Sequence, residues 1–209
     1  MPLINKFEKD NSTIGIWKIE EEESSLMNIL SEEKIDKDKL NSFTSLSRRK
    51  EFLSVRALIK SMLGFLPQID YHSQGKPFFK DFDYNISISH TKGFATVIIS
   101  KSESIGIDIE QLGDRAFRIK DKFLSEAEIK AMDEKNPSLY CCICWSAKET
   151  LFKALGCTDV FFDEMLLLSP FLTESNGIIN ASEKRTLDNM KFKINYQTTN
   201  DFVLTYLIS

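Results

Sequence analysis

W-S-A-K-E-T-L-F-K-A-L-G, residues Trp145 to Gly156, decides how this chain is read, together with the earlier G-I-D-I-E, Gly106 to Glu110. In the earlier stretch Ile105, Ile107 and Ile109 alternate with Gly106, Asp108 and Glu110. That period of two predicts a strand with both acids on one face. In the longer stretch Glu149 and Lys153 stand four apart, which on a helix stacks one above the other. The helix is expected from about Leu139 to Leu155, closed by Gly156. Paired acids with a distant third suit a hard divalent cation such as magnesium, whose preferred ligands are carboxylates, phosphate oxygens and water. Lysines beside such an ion suit phosphate. The chemistry suggested is attack on, or transfer from, a diphosphate.

Each feature also has a plain structural reading. An Asp and a Glu two apart on a strand are what the solvated face of an edge strand carries. A Glu four residues before a Lys is the favourable order for a surface ion pair worth about 0.2–0.5 kcal/mol. The functional reading gains weight from two further signatures upstream, G-K-P (Gly75 to Pro77) and N-I-S-I-S-H-T-K-G (Asn85 to Gly93). Four short signatures in this order are far more specific than any one.

Composition narrows the class. The chain has 209 residues, 42% apolar and 28% charged, ordinary for a globular protein with a substantial core. A net charge of −4 argues against a general nucleic-acid binder. No apolar run approaches the roughly 18 residues of a membrane span, and M-P-L-I-N-K-F-E-K-D lacks a signal-peptide core. A cytoplasmic protein without membrane or nucleic-acid partners is expected. Cys141, Cys142, Cys144 and Cys157 include a formal C-x-x-C, but no second pair or histidine with zinc spacing follows. They read as small core residues.

Along the chain, Ile14 to Ile19 reads as a first strand and the acidic stretch Glu20 to Lys39 as helical. The segment S-R-R-K-E-F-L-S-V-R-A-L-I-K-S-M-L-G is a helix stopped at Gly64. On it Arg49, Arg56 and Lys60 fall at i, i+7 and i+11, a basic stripe that suits either a solvated face or an anion site. Gly75 to Phe79 reads as a turn into a short strand. Asn85 to His90 and Phe94 to Ser100 form a hairpin. Ser125 with Glu128 is a capping box opening another helix. Strands are expected near Glu164–Leu168, Gly177–Asn180, Lys191–Gln197 and Phe202–Ile208, with a boundary near residue 103.

G-K-P-F, S-I-S-H-T, I-G-I-D-I-E, F-L-S-E-A-E and W-S-A-K-E-T-L-F-K resemble, in order and approximate spacing, the phosphopantetheinyl transferases of the surfactin-synthetase-activating type. The resemblance covers roughly Arg48 to Gly156. It implies an α+β fold of two pseudo-symmetric lobes, residues 1–103 and 104–209, each of antiparallel strands packed with helices. Coenzyme A is expected in the cleft between them. Its phosphopantetheine arm would pass to a serine of an apo acyl carrier protein or of a peptidyl or polyketide carrier domain, leaving adenosine 3′,5′-bisphosphate. By the same resemblance Asp108, Glu110 and Glu149 look like magnesium ligands, and Glu149 is also the candidate base. Lys153 looks like a diphosphate contact that stabilises developing charge. Arg56, Lys76, Ser89, His90 and Lys148 look like coenzyme A contacts, with Arg48 and Arg49 as weaker candidates; His72 is read as structural. The first half is thus expected to bind coenzyme A and the second to hold magnesium and the catalytic groups. Since both halves carry site residues, a monomer is expected.

Two other readings stay open on the residues alone. One is a magnesium-dependent hydrolase of nucleotides or coenzyme A, with water replacing the serine. The other is a non-catalytic coenzyme A or carrier-binding module, against which the intact set Asp108, Glu110, Glu149 and Lys153 argues.

Overall fold

The structure, a computed structural model, describes residues 3–209 and divides into two compact units, one ending at Glu103 and one running from Ser104 to Ser209. Both are α+β, with antiparallel sheets packed by helices.

The first unit begins with β1 (Leu3–Lys9) and β2 (Ser12–Lys18), joined through Asp10 and Asn11. Both turn residues have positive φ, 48° and 55°, as a two-residue hairpin of matching twist requires. Then come α1 (Glu23–Ile29), α2 (Lys37–Ser42) and α3 (Leu46–Leu63), followed by β3 (Ile69–Tyr71), β4 (Pro77–Phe79), β5 (Asn85–Thr91) and β6 (Phe94–Ser100). The four-stranded sheet runs β1-β2-β6-β5, and β3 pairs with β4. Leu53, Leu58, Ile59 and Met62 of α3 pack on Trp17, Ile86, Ala95 and Val97 of the sheet. Gly64, at φ 85°, ends the helix.

The acidic stretch is not one helix. It breaks after Ile29, and Asp36 caps a second start by accepting from the Lys39 amide at 2.8 Å. Leu26, Leu30 and Leu40 are the buried anchors of this region. The basic stripe of α3 fastens the same region down, so it is neither a solvated face nor, as a whole, an anion site. Arg49 Nε donates to both Glu23 oxygens at 3.0 and 2.9 Å, and its Nη1 to the Leu40 carbonyl at 3.0 Å. Lys60 Nζ meets Glu33 at 3.0 Å and the Ile29 carbonyl at 3.1 Å.

The second unit runs β7 (Ile105–Gln111), α4 (Arg115–Arg118), a 3₁₀ turn Lys120–Lys122, α5 (Glu126–Lys130), α6 (Pro137–Leu155), α7 (Phe162–Met165), β8 (Leu166–Leu168), β9 (Asn176–Glu183), β10 (Lys191–Thr198) and β11 (Phe202–Ile208). Its sheet order is β7-β11-β10-β9-β8. Cys141, Ile143, Cys144, Ala147 and Leu151 of α6 form the centre of the core with Val203, Leu207, Ile194 and Ile179 of the sheet. Burial pushes the Cys142 thiol up to about 12 and Cys141 up to about 11, so at neutral pH these free cysteines pack as small apolar groups. Helix α6 begins two residues earlier than the periodicity suggested. Asn136 caps it by accepting from the Leu139 amide, and Pro137 fills the first turn, where its missing N–H is no loss. Gly156, at φ 59°, closes it.

Among the described residues no helix is long and apolar enough to cross a membrane.

Candidate active site

In the second unit β7 pairs with a single strand, β11, yet it is not a solvated edge. Ile105 to Ile109 are all buried, Asp108 included. One face of β7 lies against α6, and Gly106 permits the approach. A Cβ built there would stand 2.1 Å from the Thr150 carbonyl oxygen. Thr205, the cross-strand partner of Asp108, completes the attachment. Its hydroxyl lies 2.6 Å from Thr150 Oγ1 and 2.9 Å from Ser146 Oγ, beneath the helix.

Four charged groups meet at this contact. Lys153 Nζ donates to Asp108 Oδ1 at 2.7 Å and to the Ile107 carbonyl at 3.1 Å. The ion pair that the i, i+4 spacing of Glu149 and Lys153 allows is therefore not the one this lysine makes. Trp145 Nε1 donates to Glu110 Oε1 at 2.8 Å. Burial pushes the Glu110 carboxyl above the usual range; the Asp108 charge adds to this, and the Trp145 hydrogen bond opposes it. Burial likewise raises Glu149, the Lys153 charge holds it down, and Asp108 and Glu110 push it further up. Each carboxylate feels the others, and one lysine does not neutralise them.

Lys148 has a different role from the coenzyme A contact expected of it. It is fully buried, and its ammonium donates to the Phe123 carbonyl at 2.7 Å, Glu128 Oε2 at 2.8 Å and the Phe162 carbonyl at 2.9 Å. An ammonium has three hydrogens, so none is left for a phosphate. Glu128 is the hub of this region. Its carboxylate accepts from the Ser125 amide at 2.7 Å, closing the expected capping box, and from the Leu168 amide at 2.8 Å.

The first unit holds a cavity of about 300 Å³ with a different character. Lys39, Arg48 and Arg56 supply its positive side, with His90 beside them, and Phe43, Phe52 and Tyr71 its aromatic walls. The Arg56 guanidinium lies 3.2 Å from the centre of the Phe52 ring and donates to the Phe52 carbonyl at 3.0 Å. Ser89 does not join His90 here. Consecutive strand residues face opposite ways, and the buried Ser89 lies on the other face of β5. Lys76 is half-buried in the loop before β4, its carbonyl accepting from the His72 amide at 2.9 Å; its neighbours Gly75 and Pro77 line the cavity.

A family model described as the 4′-phosphopantetheinyl transferase superfamily matches residues 104–207, the unit that carries the acids. This chain belongs to the 4′-phosphopantetheinyl transferase superfamily. It is 32% identical over 116 residues to the 4′-phosphopantetheinyl transferase AcpT of Escherichia coli K12, covering 52% of this chain and 59% of AcpT. Over 87 residues it is 34% identical to the 4′-phosphopantetheinyl transferase gsp of Aneurinibacillus migulanus, covering 39% of this chain and 35% of gsp. The chain thus matches little more than half the length of the one relative and about a third of the other.

In this superfamily member the donor set suits a hard divalent ion. The three carboxylates are all-oxygen ligands, and with Lys153 they leave two negative charges to be balanced. With the side chains as they stand, Lys153 takes Asp108 and Trp145 takes Glu110. Among the described residues no three such ligands converge on one point. Binding an ion would require Lys153 to turn from Asp108 toward the ligand. Trp145, Ser146, Thr150 and Thr205 had no assigned role in the sequence reading. Their partners are remote in sequence; Trp145, Ser146 and Thr150 lie inside the motif itself, and Thr205 carries no local signal.

Proposed function

We propose that this chain transfers the 4′-phosphopantetheine arm of coenzyme A to a serine of an apo acyl, peptidyl or polyketide carrier, releasing adenosine 3′,5′-bisphosphate. The observation that carries the reading is the coupled set Asp108, Glu110, Glu149 and Lys153, within the unit that matches the family. Asp108, Glu110 and Glu149 would hold a magnesium ion, which when bound neutralises charge on the diphosphate. Glu149, half-buried on α6, removes the proton of the carrier serine, directly or through a water. Its raised carboxyl pKa brings it closer to working pH, as a general base requires. Lys153 leaves Asp108 to meet the diphosphate and stabilises the charge that gathers on the leaving phosphate oxygen. In the first unit Arg56, Arg48 and His90 receive the phosphorylated adenosine end, with Lys76 beside them and the aromatic walls taking the base. Lys148 and Ser89 are left out of the contact set. The active species is a monomer.

The competing hydrolase reading uses the same acids with water as acceptor. Release of adenosine 3′,5′-bisphosphate from coenzyme A, followed with and without an apo carrier, separates the two. Transfer requires the carrier; equal release in its absence overturns the reading.

A further inference from the structure

Three side chains lining the first unit's cavity, Arg48, Glu51 and His90, form a closed triangle, and of these Glu51 has no part in the transfer chemistry described above. Arg48 Nη1 donates to Glu51 Oε2 at 2.8 Å and also lies 3.3 Å from His90 Nε2. His90 Nδ1 stands 3.5 Å from the same Glu51 oxygen. A guanidinium can only donate, so His90 Nε2 must be the acceptor here and Nδ1 must carry the ring proton, directed at Glu51. The other charged or titratable groups lining the cavity are Lys39 of α2, Arg56 of α3 and Tyr71 of β3.

A phosphate ester dianion has only acceptors. For His90 to contact it, Nε2 must become a donor. The alternative tautomer, with Nε2–H and a bare Nδ1, would aim a lone pair at the Glu51 carboxylate. The remaining solution is a ring protonated on both nitrogens, with Nδ1–H held by Glu51, Nε2–H on the phosphate, and Arg48 released to the same anion. We infer that Glu51 is a positioning residue that holds His90 as an imidazolium when the cavity takes a phosphate ester, so that binding consumes one proton. The inference rests on the reading of this cavity as the nucleotide site. It gives a half-buried carboxylate in a basic pocket a use: without one, Glu51 would merely repel the ligand.

The test is titration calorimetry of the full chain with adenosine 3′,5′-bisphosphate at pH 8, where an ordinary imidazole and the phosphates are both deprotonated. Two buffers of different ionisation enthalpy report the protons taken up. The wild type should take up close to one, and Glu51→Gln and His90→Gln close to none. Glu51→Gln should bind about 10-fold more weakly at pH 8, the scale of a lost charged hydrogen bond. Loss of a merely repulsive charge would tighten binding instead. Wild-type binding without proton uptake, or Glu51→Gln with unchanged uptake or tighter binding at pH 8, overturns the inference and leaves the nucleotide reading standing. No wild-type binding at all removes both.

Discussion

Each unit lays one long helix across an antiparallel sheet, and each admits it past a strand glycine, but the two contacts are made of different material. A Cβ at Gly15 would meet Met62 Sδ at 2.6 Å and Leu58 Cδ1 at 2.8 Å, the ends of side chains that can turn. A Cβ at Gly106 would meet the Thr150 carbonyl oxygen at 2.1 Å and the Ala154 nitrogen at 3.1 Å, backbone that cannot move without moving α6. The polar contents differ in the same sense. The first unit carries partly exposed ion pairs and an open basic cavity, whereas the second carries a fully buried lysine on a buried carboxylate. The acids of the second unit are thus placed by main-chain contact and buried bonds. The groups of the first unit's cavity stand on side chains with freedom to adjust, as a site that changes partners on binding needs.

The largest effect should come from the buried pair. Lys148→Met alone leaves Glu128 buried with its ammonium partner gone and should cost about 3–5 kcal/mol in urea unfolding. Glu128→Leu added to it should recover part of that loss. Glu23→Gln, which breaks the half-buried Arg49 pair of the first unit, should cost far less. Equal losses would erase the contrast between the units.

Next come the glycines. Gly106→Ala should destabilise by about 3 kcal/mol and displace the acids, so that transfer falls even where the chain still folds. Gly15→Ala should cost about 1 kcal/mol, since Met62 is the most adaptable of core side chains. A reversed order would show that α6, not α3, is the helix with room to shift.

The smallest effect is on pH dependence, and its sign differs between the units. Glu110 and Glu149 have folded carboxyl pKa values raised, first by burial and then by neighbouring carboxylates. The stability carried by their protons is complete below the ordinary carboxylate value and is lost as pH rises through the raised ones. Glu23, lowered by its bond to Arg49, contributes the other way: its share is present above the ordinary value and lost on acidification. In metal-free buffer Glu110→Gln should therefore raise the urea midpoint at pH 8 more than at pH 4, and Glu23→Gln should lower it at pH 8. Magnesium added at pH 8 should stabilise the wild type more than Glu110→Gln.

Local signals carried most of the fold. The helix stops at Gly64 and Gly156, the Asn85–Ser100 hairpin and the Ser125–Glu128 capping box all follow from residue types whose preferences act within a few positions. Strand β1 carries no strand signal of its own, because L-I-N-K-F-E-K is largely exposed and polar, with little alternation. The Asp10-Asn11 turn after it was the readable sign. The acidic stretch reads as one long helix and is not, because charge and propensity do not reveal where Leu30 and Leu40 must dock. At the site, the spacing of Asp108, Glu110 and Glu149 was legible because strand and helix periods place them on one face each. Which partner each would take was not, since Trp145 for Glu110, Glu128 for Lys148 and Glu51 for His90 are all chosen by packing between segments distant in sequence.

If Glu149 activates a carrier serine toward coenzyme A, intact-mass spectrometry of an apo carrier incubated with coenzyme A, magnesium and the chain will register the transfer. The carrier should gain one phosphopantetheine group. With Glu149→Gln the rate should fall by about 10²–10⁴-fold and coenzyme A binding should hardly change. A carrier that gains no mass while coenzyme A is consumed, or Glu149→Gln transferring at the wild-type rate, would contradict that role of Glu149.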